Sequence, residues 1–112
     1  MNINKLLPFL DDESLSLYLE KVKEGKLPAK DLVKALPFLN KTHIKEVYTL
    51  IQEQKLDLSL EALLPFMDDD VIEDMYEKVL NNEITNIDEE AILPFLSEEK
   101  IKSLFKKYLE NL

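Results

Sequence analysis

The stretch "LLPFLDDESLSLYLEKV" at residues 6–22 decides the fold, because its Leu-Pro-Phe core is written four times along the chain. The prolines of the motif stand at positions 8, 37, 65 and 94, so that the three intervals between them are 29, 28 and 29. A constant period between about 20 and 50 residues is typical of proteins that stack one small structural repeat. The sequence therefore predicts four copies of one unit, centred on Pro8, Pro37, Pro65 and Pro94.

A long amphipathic helix is predicted after each motif. A residue that suits a helix N-cap stands three positions after every proline, and apolar residues then recur at i, i+3, i+4 and i+7. Gly25 and Asn82 suit a left-handed C-terminal cap, and Gln54 marks the corresponding helix end in the second copy. The four N-cap residues are Asp11, Asn40, Asp68 and Ser97.

A short helix is predicted before each motif, because N-cap residue types also stand six positions before every proline, at Asn2, Asp31, Ser59 and Asp88. Proline disfavours helical geometry in the residue before it, so we expect the preceding leucine to leave the helix there. We expect the phenylalanine to bury its ring in the corner between the two helices. These rings belong to Phe9, Phe38, Phe66 and Phe95.

The resulting fold class is all-α, with four tandem 28–29-residue short-helix/long-helix repeats stacked as a right-handed, α-solenoid-like single domain over residues 1–112. The repeats span about residues 2–24, 31–53, 59–81 and 88–112. The pattern resembles the HEAT-like class of helical-hairpin proteins and the short LPFL-type repeats of bacterial proteins. That resemblance implies a stacked binding surface on which each repeat contacts mainly its neighbours.

Composition excludes several kinds of partner. The chain carries a net charge of −9 and its 14 basic residues are all Lys, which argues against nucleic acid. No apolar run is long enough to predict a membrane span, and residues 1–13 do not form a signal peptide. The absence of cysteine fits a reducing compartment, so we expect a cytoplasmic protein.

No catalytic, cofactor-binding or metal-binding site is predicted. The one histidine, His43, stands in the first turn of a helix, where we expect solvent around it. The acidic run at residues 68–74 lacks the glycine and the spaced glutamate of a calcium loop. A phosphate loop is also missing, and we therefore expect no enzyme activity and no cofactor.

The acidity is local, and it marks a candidate docking surface. Residues 57–99 hold 14 acids and one Lys, a net charge of −13, whereas residues 1–56 carry +1 and residues 100–112 carry +3. The acidic ridge consists of Asp69, Asp70, Glu73, Asp74 and Glu77. It either binds a basic protein segment or only keeps the protein in solution. Leu17 and Leu50 lie off the apolar stripes of their helices. They are either contacts between adjacent repeats or exposed contacts for a partner.

The predicted function is a non-catalytic protein–protein interaction module whose acidic face docks a basic protein segment. Two alternatives stay open. One is a self-assembling structural protein, for example a homodimer, joined through Phe105, Tyr108, Leu109 and Leu112 of the last helix, unless these residues fold back onto the fourth short helix. The other is an acidic inhibitor that mimics nucleic acid, although the near-neutral charge of residues 1–56 argues against it.

Overall fold

The all-α prediction is confirmed. A computed structural model describes residues 2–112, and over that range the chain forms helices and turns without any strand. None of these helices is long and apolar enough to cross a membrane. The α-helices are α1 Asp12–Lys23, α2 Leu32–Ala35, α3 Lys41–Gln52, α4 Leu60–Leu63, α5 Asp69–Leu80, α6 Glu89–Ile92 and α7 Glu98–Glu110.

The chain forms two compact bodies, and each has its own core. The N-terminal body extends to Phe66 and contains α1 to α4, and the C-terminal body runs from Met67 to Leu112 and contains α5 to α7. In the N-terminal body, α4 lies against α3, and in the C-terminal body, α6 lies against α5. The boundary falls inside the third Leu-Pro-Phe-Met sequence.

The long helices begin where the cap residues predict. The side chain of Asp11 accepts the backbone N–H of Ser14 at 2.8 Å, and that of Ser97 accepts the N–H of Lys100 at 3.1 Å. Asn40 accepts the N–H of His43 at 2.8 Å. These bonds satisfy amide donors that a helix start leaves without intrahelical acceptors.

The first three long helices end in one shared backbone geometry. Gly25, Gln54 and Asn82 have φ angles of 79°, 60° and 62°, in the left-handed region. The next residue in each case donates its N–H to a carbonyl five residues earlier, as Lys26 does to Lys21 at 2.9 Å. This pattern is the Schellman motif, which satisfies carbonyls at a helix end.

Each Leu-Pro-Phe sequence forms a turn of 3-10 helix, which corrects the expected position of the helix break. The leucine before the proline stays helical, as Leu36 does at φ −51° and ψ −43°, and the chain becomes extended only after the phenylalanine, at Leu39. A 3-10 turn can begin at this leucine because the N–H groups of its first residues make no hydrogen bond within the turn, so the N–H that proline lacks is not needed there. The turns are Leu7–Phe9, Leu36–Phe38, Leu64–Phe66 and Leu93–Phe95.

The first two short segments are irregular. Residues Ile3–Lys5 form another 3-10 turn, capped by the Asn2 side chain, which accepts the N–H of Asn4 at 3.0 Å. The second segment begins at Ala29 with a further 3-10 turn, so Asp31 lies inside the helical segment instead of capping it. Pro28 precedes this turn and sets its extended entry.

The phenylalanine rings do not fill the corners, and that prediction was wrong. Phe9 is 84% exposed, Phe38 and Phe66 are also exposed, and Phe95 is half-buried. In the first three copies the leucine of the motif takes the buried place, since Leu7, Leu36 and Leu64 are at most 2% exposed. A 3-10 turn puts neighbouring side chains about 120° apart, so the leucine and the phenylalanine two residues later cannot share one buried direction.

Candidate interaction surfaces

The acidic ridge lies along α5 and is partly engaged in contacts of the C-terminal body. Asp69, Asp70, Asp74 and Glu77 are exposed, and Glu73 is half-buried. The helix presents them to solvent because the apolar residues Ile72, Met75 and Tyr76 occupy its opposite, buried face. The sequence therefore placed the ridge on the correct side of α5.

Two ridge carboxylates hold α7. The Ser97 hydroxyl donates to Glu73 at 3.1 Å, and the Lys100 ammonium donates to Glu77 at 2.8 Å. The bond to Glu77 raises the pKa of Lys100 above its ordinary value. The charge of Glu77 is thus balanced within the body.

The remaining ridge residues differ in how they are held. Asp74 pairs with Lys78 on the same helix at 3.1 Å. The Asp70 carboxylate accepts the backbone N–H of Val71 at 2.9 Å, in the first turn of α5, where negative charge complements the helix dipole. Contacts within the protein therefore account for much of the acidic ridge. Because Glu73 and Glu77 are bonded to Ser97 and Lys100, a partner would contact chiefly Asp69, Asp70 and Asp74.

Leu17 and Leu50 do not form a common surface. Leu50 is 5% exposed and belongs to the buried side of α3, so it offers no contact area to a partner. Leu17 is 63% exposed on α1, flanked by the exposed residues Ser16 and Glu20. A single exposed leucine is common on protein surfaces and does not define a site.

A row of exposed apolar side chains runs along α7. Ile101, Phe105, Tyr108 and Leu109 follow one helix face, and Phe105 is 61% exposed. Leu112, just beyond the helix, is 84% exposed, and Leu104 on the helix is half-buried. The alternative that these residues fold back onto the fourth short helix is not what the structure has. We call this set the α7 face: Ile101, Phe105, Tyr108, Leu109 and Leu112.

The opposite side of α7 is polar and basic. It carries Lys102, Lys106 and Lys107, all exposed. Together with Glu99, Ser103 and Glu110 they border an open depression of about 610 Å³, which is the outer surface of one helix and not an enclosed cavity. The helix is therefore strongly amphipathic, yet its apolar side faces solvent.

The expectation that solvent surrounds His43 was wrong, because this side chain is buried and pairs with the exposed Ser16. His43 is 4% exposed, and its Nε2 lies 2.8 Å from the Ser16 hydroxyl on α1. Its Nδ1 accepts the backbone N–H of Asn40 at 3.4 Å, which completes a capping box with Asn40. The three-residue spacing from Asn40 to His43 could have indicated the capping box, but nothing local could indicate Ser16.

This pair resembles a serine–histidine dyad only in its distance. A backbone N–H can only donate, so Nδ1 of His43 accepts, and in the neutral ring the hydrogen resides on Nε2. Nε2 then donates to Ser16, which is the reverse of what a general base for that hydroxyl requires. The geometry fits a structural link between α1 and α3.

No group of three or more potential ligand side chains within residues 2–112 is placed to hold a metal ion. A second depression, of about 360 Å³, lies between the end of α5 and the start of α6. It is open to solvent and bordered by Asn82, Thr85 and Asp88 beside apolar residues such as Ile84. Its few polar side chains form no cluster that indicates chemistry.

Fold and surfaces together define an all-helical protein whose most distinctive surface is an exposed apolar helix face. Comparisons with protein-family models, with curated proteins and with solved structures found no match for this chain. Its function therefore has to be argued from its own residues.

Proposed function

We propose that this protein is a non-catalytic protein–protein interaction module whose contact surface is the α7 face. The observation that carries the proposal is the exposure of Phe105 and Tyr108, each more than 60% exposed, beside Ile101 and Leu109 on one helix side. Contiguous exposed apolar surface marks interaction sites, and aromatic residues dominate the binding energy of such sites.

The α7 face is a better docking surface than the acidic ridge. Burying an apolar side chain releases about 25 cal/mol for each Å² of apolar surface removed from water. An exposed ion pair typically contributes below about 1 kcal/mol, and salt screens it. Glu73 and Glu77 moreover already have partners in Ser97, the N-cap of α7, and in Lys100 on α7.

The motif spacing supports a repeat-built module. Each Leu-Pro-Phe turn is followed by one of the long helices α1, α3, α5 and α7, and each of the last three turns is preceded by one of the short helices α2, α4 and α6. We propose that four such units stack in the manner of an α-solenoid, each contacting its neighbours. Repeat proteins commonly use the resulting continuous surfaces for binding.

Site-specific photo-cross-linking in the source cell tests the proposal. Benzoylphenylalanine replaces Phe105 in one variant and Leu17, which is equally exposed but isolated, in a matched control. We expect discrete cross-linked protein species, including any second copy of this chain, from position 105 and not from position 17. Equal cross-linking from both positions, or none from position 105, would contradict the proposal.

A second candidate contact is the acidic ridge, favoured by the local net charge of −13 over residues 57–99. A variant that removes charge without breaking the contacts to α7 is Asp69→Asn, Asp70→Asn and Asp74→Asn together. If a basic protein docks there, affinity capture should retrieve it with the wild type at low salt, and less of it with the variant or at high salt. Equal recovery in all three conditions would leave solubility as the role of the ridge.

A further inference from the structure

The first short segment exposes residues that the later segments bury. Leu6 is 41% exposed, whereas the residues at the same place before the other three prolines are all fully buried. Ile3 is likewise exposed, although its counterparts in α2 and α4 are buried. Phe9, three residues after Leu6, is also exposed, although its counterparts Phe38 and Phe66 are exposed as well. We call Ile3, Leu6 and Phe9 the head face; the buried counterparts of Leu6 are Ala35, Leu63 and Ile92.

The last long helix shows the complementary difference. Ile101, Phe105 and Tyr108 of the α7 face are exposed. In α1, the residues at the same sequence positions after the motif proline are buried, and in α3 and α5 the corresponding residues are buried or half-buried. Sequence does not explain the contrast, since all four stripes are apolar. The counterparts in α1 are Leu15, Leu19 and Val22.

Within each body, a short helix follows a long helix and lies against it. In the N-terminal body, α4 lies against α3, and in the C-terminal body, α6 lies against α5. Two tyrosines of the long helices, Tyr18 and Tyr76, lie close enough to the following short segments for charges there to affect their pKa values. Burial, and then the charge of Asp31 before α2, raises the pKa of Tyr18. Burial, and then the charges of Glu89 in α6 and of Glu77, raises the pKa of Tyr76.

The head face and the α7 face are both exposed, and by position in the repeat they correspond to the short and long segments that pack together where α4 lies against α3 and α6 lies against α5. We propose that the partner of the α7 face is a second copy of this chain, which docks head to tail through its first short segment, residues 3–9. This proposal rests on the proposed function and names its partner. The first short segment of the second copy would lie against α7 as α6 lies against α5.

Charge favours this pairing over a symmetric contact between two α7 helices. Residues 100–112 carry four Lys and one Glu, a net charge of +3. Residues 1–13 carry one Lys against Asp11, Asp12 and Glu13, a net charge of −2. The exposed lysines lie on the side of α7 away from the α7 face, so this charge acts across the width of the helix and not through direct ion pairs. A head-to-tail contact brings segments of opposite net charge near each other, whereas two α7 helices would bring +3 near +3.

A head-to-tail contact joins two different surfaces, so a pair of copies still has one free head and one free tail. Such heterologous contacts continue into rings or open filaments instead of stopping at a dimer. The assembly should therefore grow with protein concentration. This behaviour separates it from a symmetric dimer, which saturates at two copies.

The test uses complementary variants of the full chain, followed by sedimentation velocity and light scattering. The head variant is Leu6→Gln with Phe9→Gln, and the tail variant is Phe105→Gln with Tyr108→Gln. All four side chains are exposed, so each variant should keep the circular dichroism spectrum of the wild type. Leu17→Gln is the control, since it removes an equally exposed apolar side chain outside both faces.

We expect the wild type and the control to grow beyond dimers as concentration rises. Each variant alone should be a monomer, with its dissociation constant raised at least about tenfold. An equimolar mixture should form a one-to-one dimer of twice the 13.1 kDa chain mass, because one variant offers an intact head and the other an intact tail.

Three outcomes would overturn the head-to-tail contact: a wild type that is monomeric at every concentration, a head variant that still dimerises while the tail variant does not, or a mixture that stays monomeric. Mapping where benzoylphenylalanine at position 105 cross-links is a measurement that does not depend on the head and tail variants. The cross-linked site should lie within residues 2–13 of a second copy. Cross-links to other proteins alone would refute this inference while preserving the proposed function.

Discussion

Leucine, and not phenylalanine, should hold the first Leu-Pro-Phe turn in place. Leu7 is 1% exposed and Phe9 is 84% exposed, two residues apart in one turn. Truncating a buried leucine to alanine removes its transfer free energy and leaves a cavity, which together cost about 2–5 kcal/mol. We therefore expect Leu7→Ala to cost about 3 kcal/mol, within that range.

The matched change at the ring should cost far less. About a sixth of the Phe9 surface is covered, and full burial of a phenylalanine is worth about 1.5–3 kcal/mol, so Phe9→Ala should cost about 0.5 kcal/mol. Both substitutions are made together with the tail variant, so that self-association affects neither value. Urea unfolding followed by circular dichroism at 222 nm gives the two free energies of unfolding. A larger loss for Phe9→Ala than for Leu7→Ala would refute this reasoning and restore the ring as the corner residue.

Three further predictions concern particular groups, and urea unfolding measures each. His43→Ala should lower the free energy of unfolding by about 2 kcal/mol, since it removes a buried side chain together with half of a capping box; an unchanged midpoint would contradict that role. Gln54→Gly should raise stability and Gly25→Ala should lower it, each by about 1 kcal/mol, because both sites have positive φ and nothing within 4 Å obstructs a Cβ at residue 25; the same sign for both would refute a backbone cause. Burial raises the pKa of Tyr18, so the part of the free energy of unfolding that depends on a protonated Tyr18 is fully present below about pH 10 and is lost as pH rises through the folded-state pKa. Tyr18→Phe should therefore reduce the loss of stability at alkaline pH. An equal loss in both proteins would exclude Tyr18 as its source.

Local sequence chemistry predicted the long helices well. Asp11, Asn40 and Ser97 cap helices as expected, and Gly25 and Asn82 adopt the left-handed geometry that their residue types allow. These features depend on a few consecutive residues and their backbone amides, so sequence alone carries the information. The acidic side of α5 was predictable for the same reason, since helix periodicity sets which residues share a face.

The Leu-Pro-Phe turn was predicted less well, and the reason is geometric. The preference of the residue before proline is statistical, and Leu36 stays helical because the turn tightens into 3-10 geometry. In the first three turns the leucine is buried and the phenylalanine is exposed, whereas in the fourth turn Leu93 is 37% exposed and Phe95 is half-buried. The same local conformation therefore allows both outcomes, and the packing around each turn decides between them.

Sequence by itself determined the helical class, the spacing of the four motifs and the ends of the long helices, because caps and periodicity act within a few residues. Tertiary structure alone decided which of four similar apolar stripes lacks a cover. Ile101 and Phe105 belong to a stripe as apolar as that of α1, yet they are exposed and Leu15 is buried. It also decided that His43 is buried beside Ser16, 27 residues away in sequence. Burial is a property of what packs against a residue, and neighbours that distant leave no trace in the local pattern.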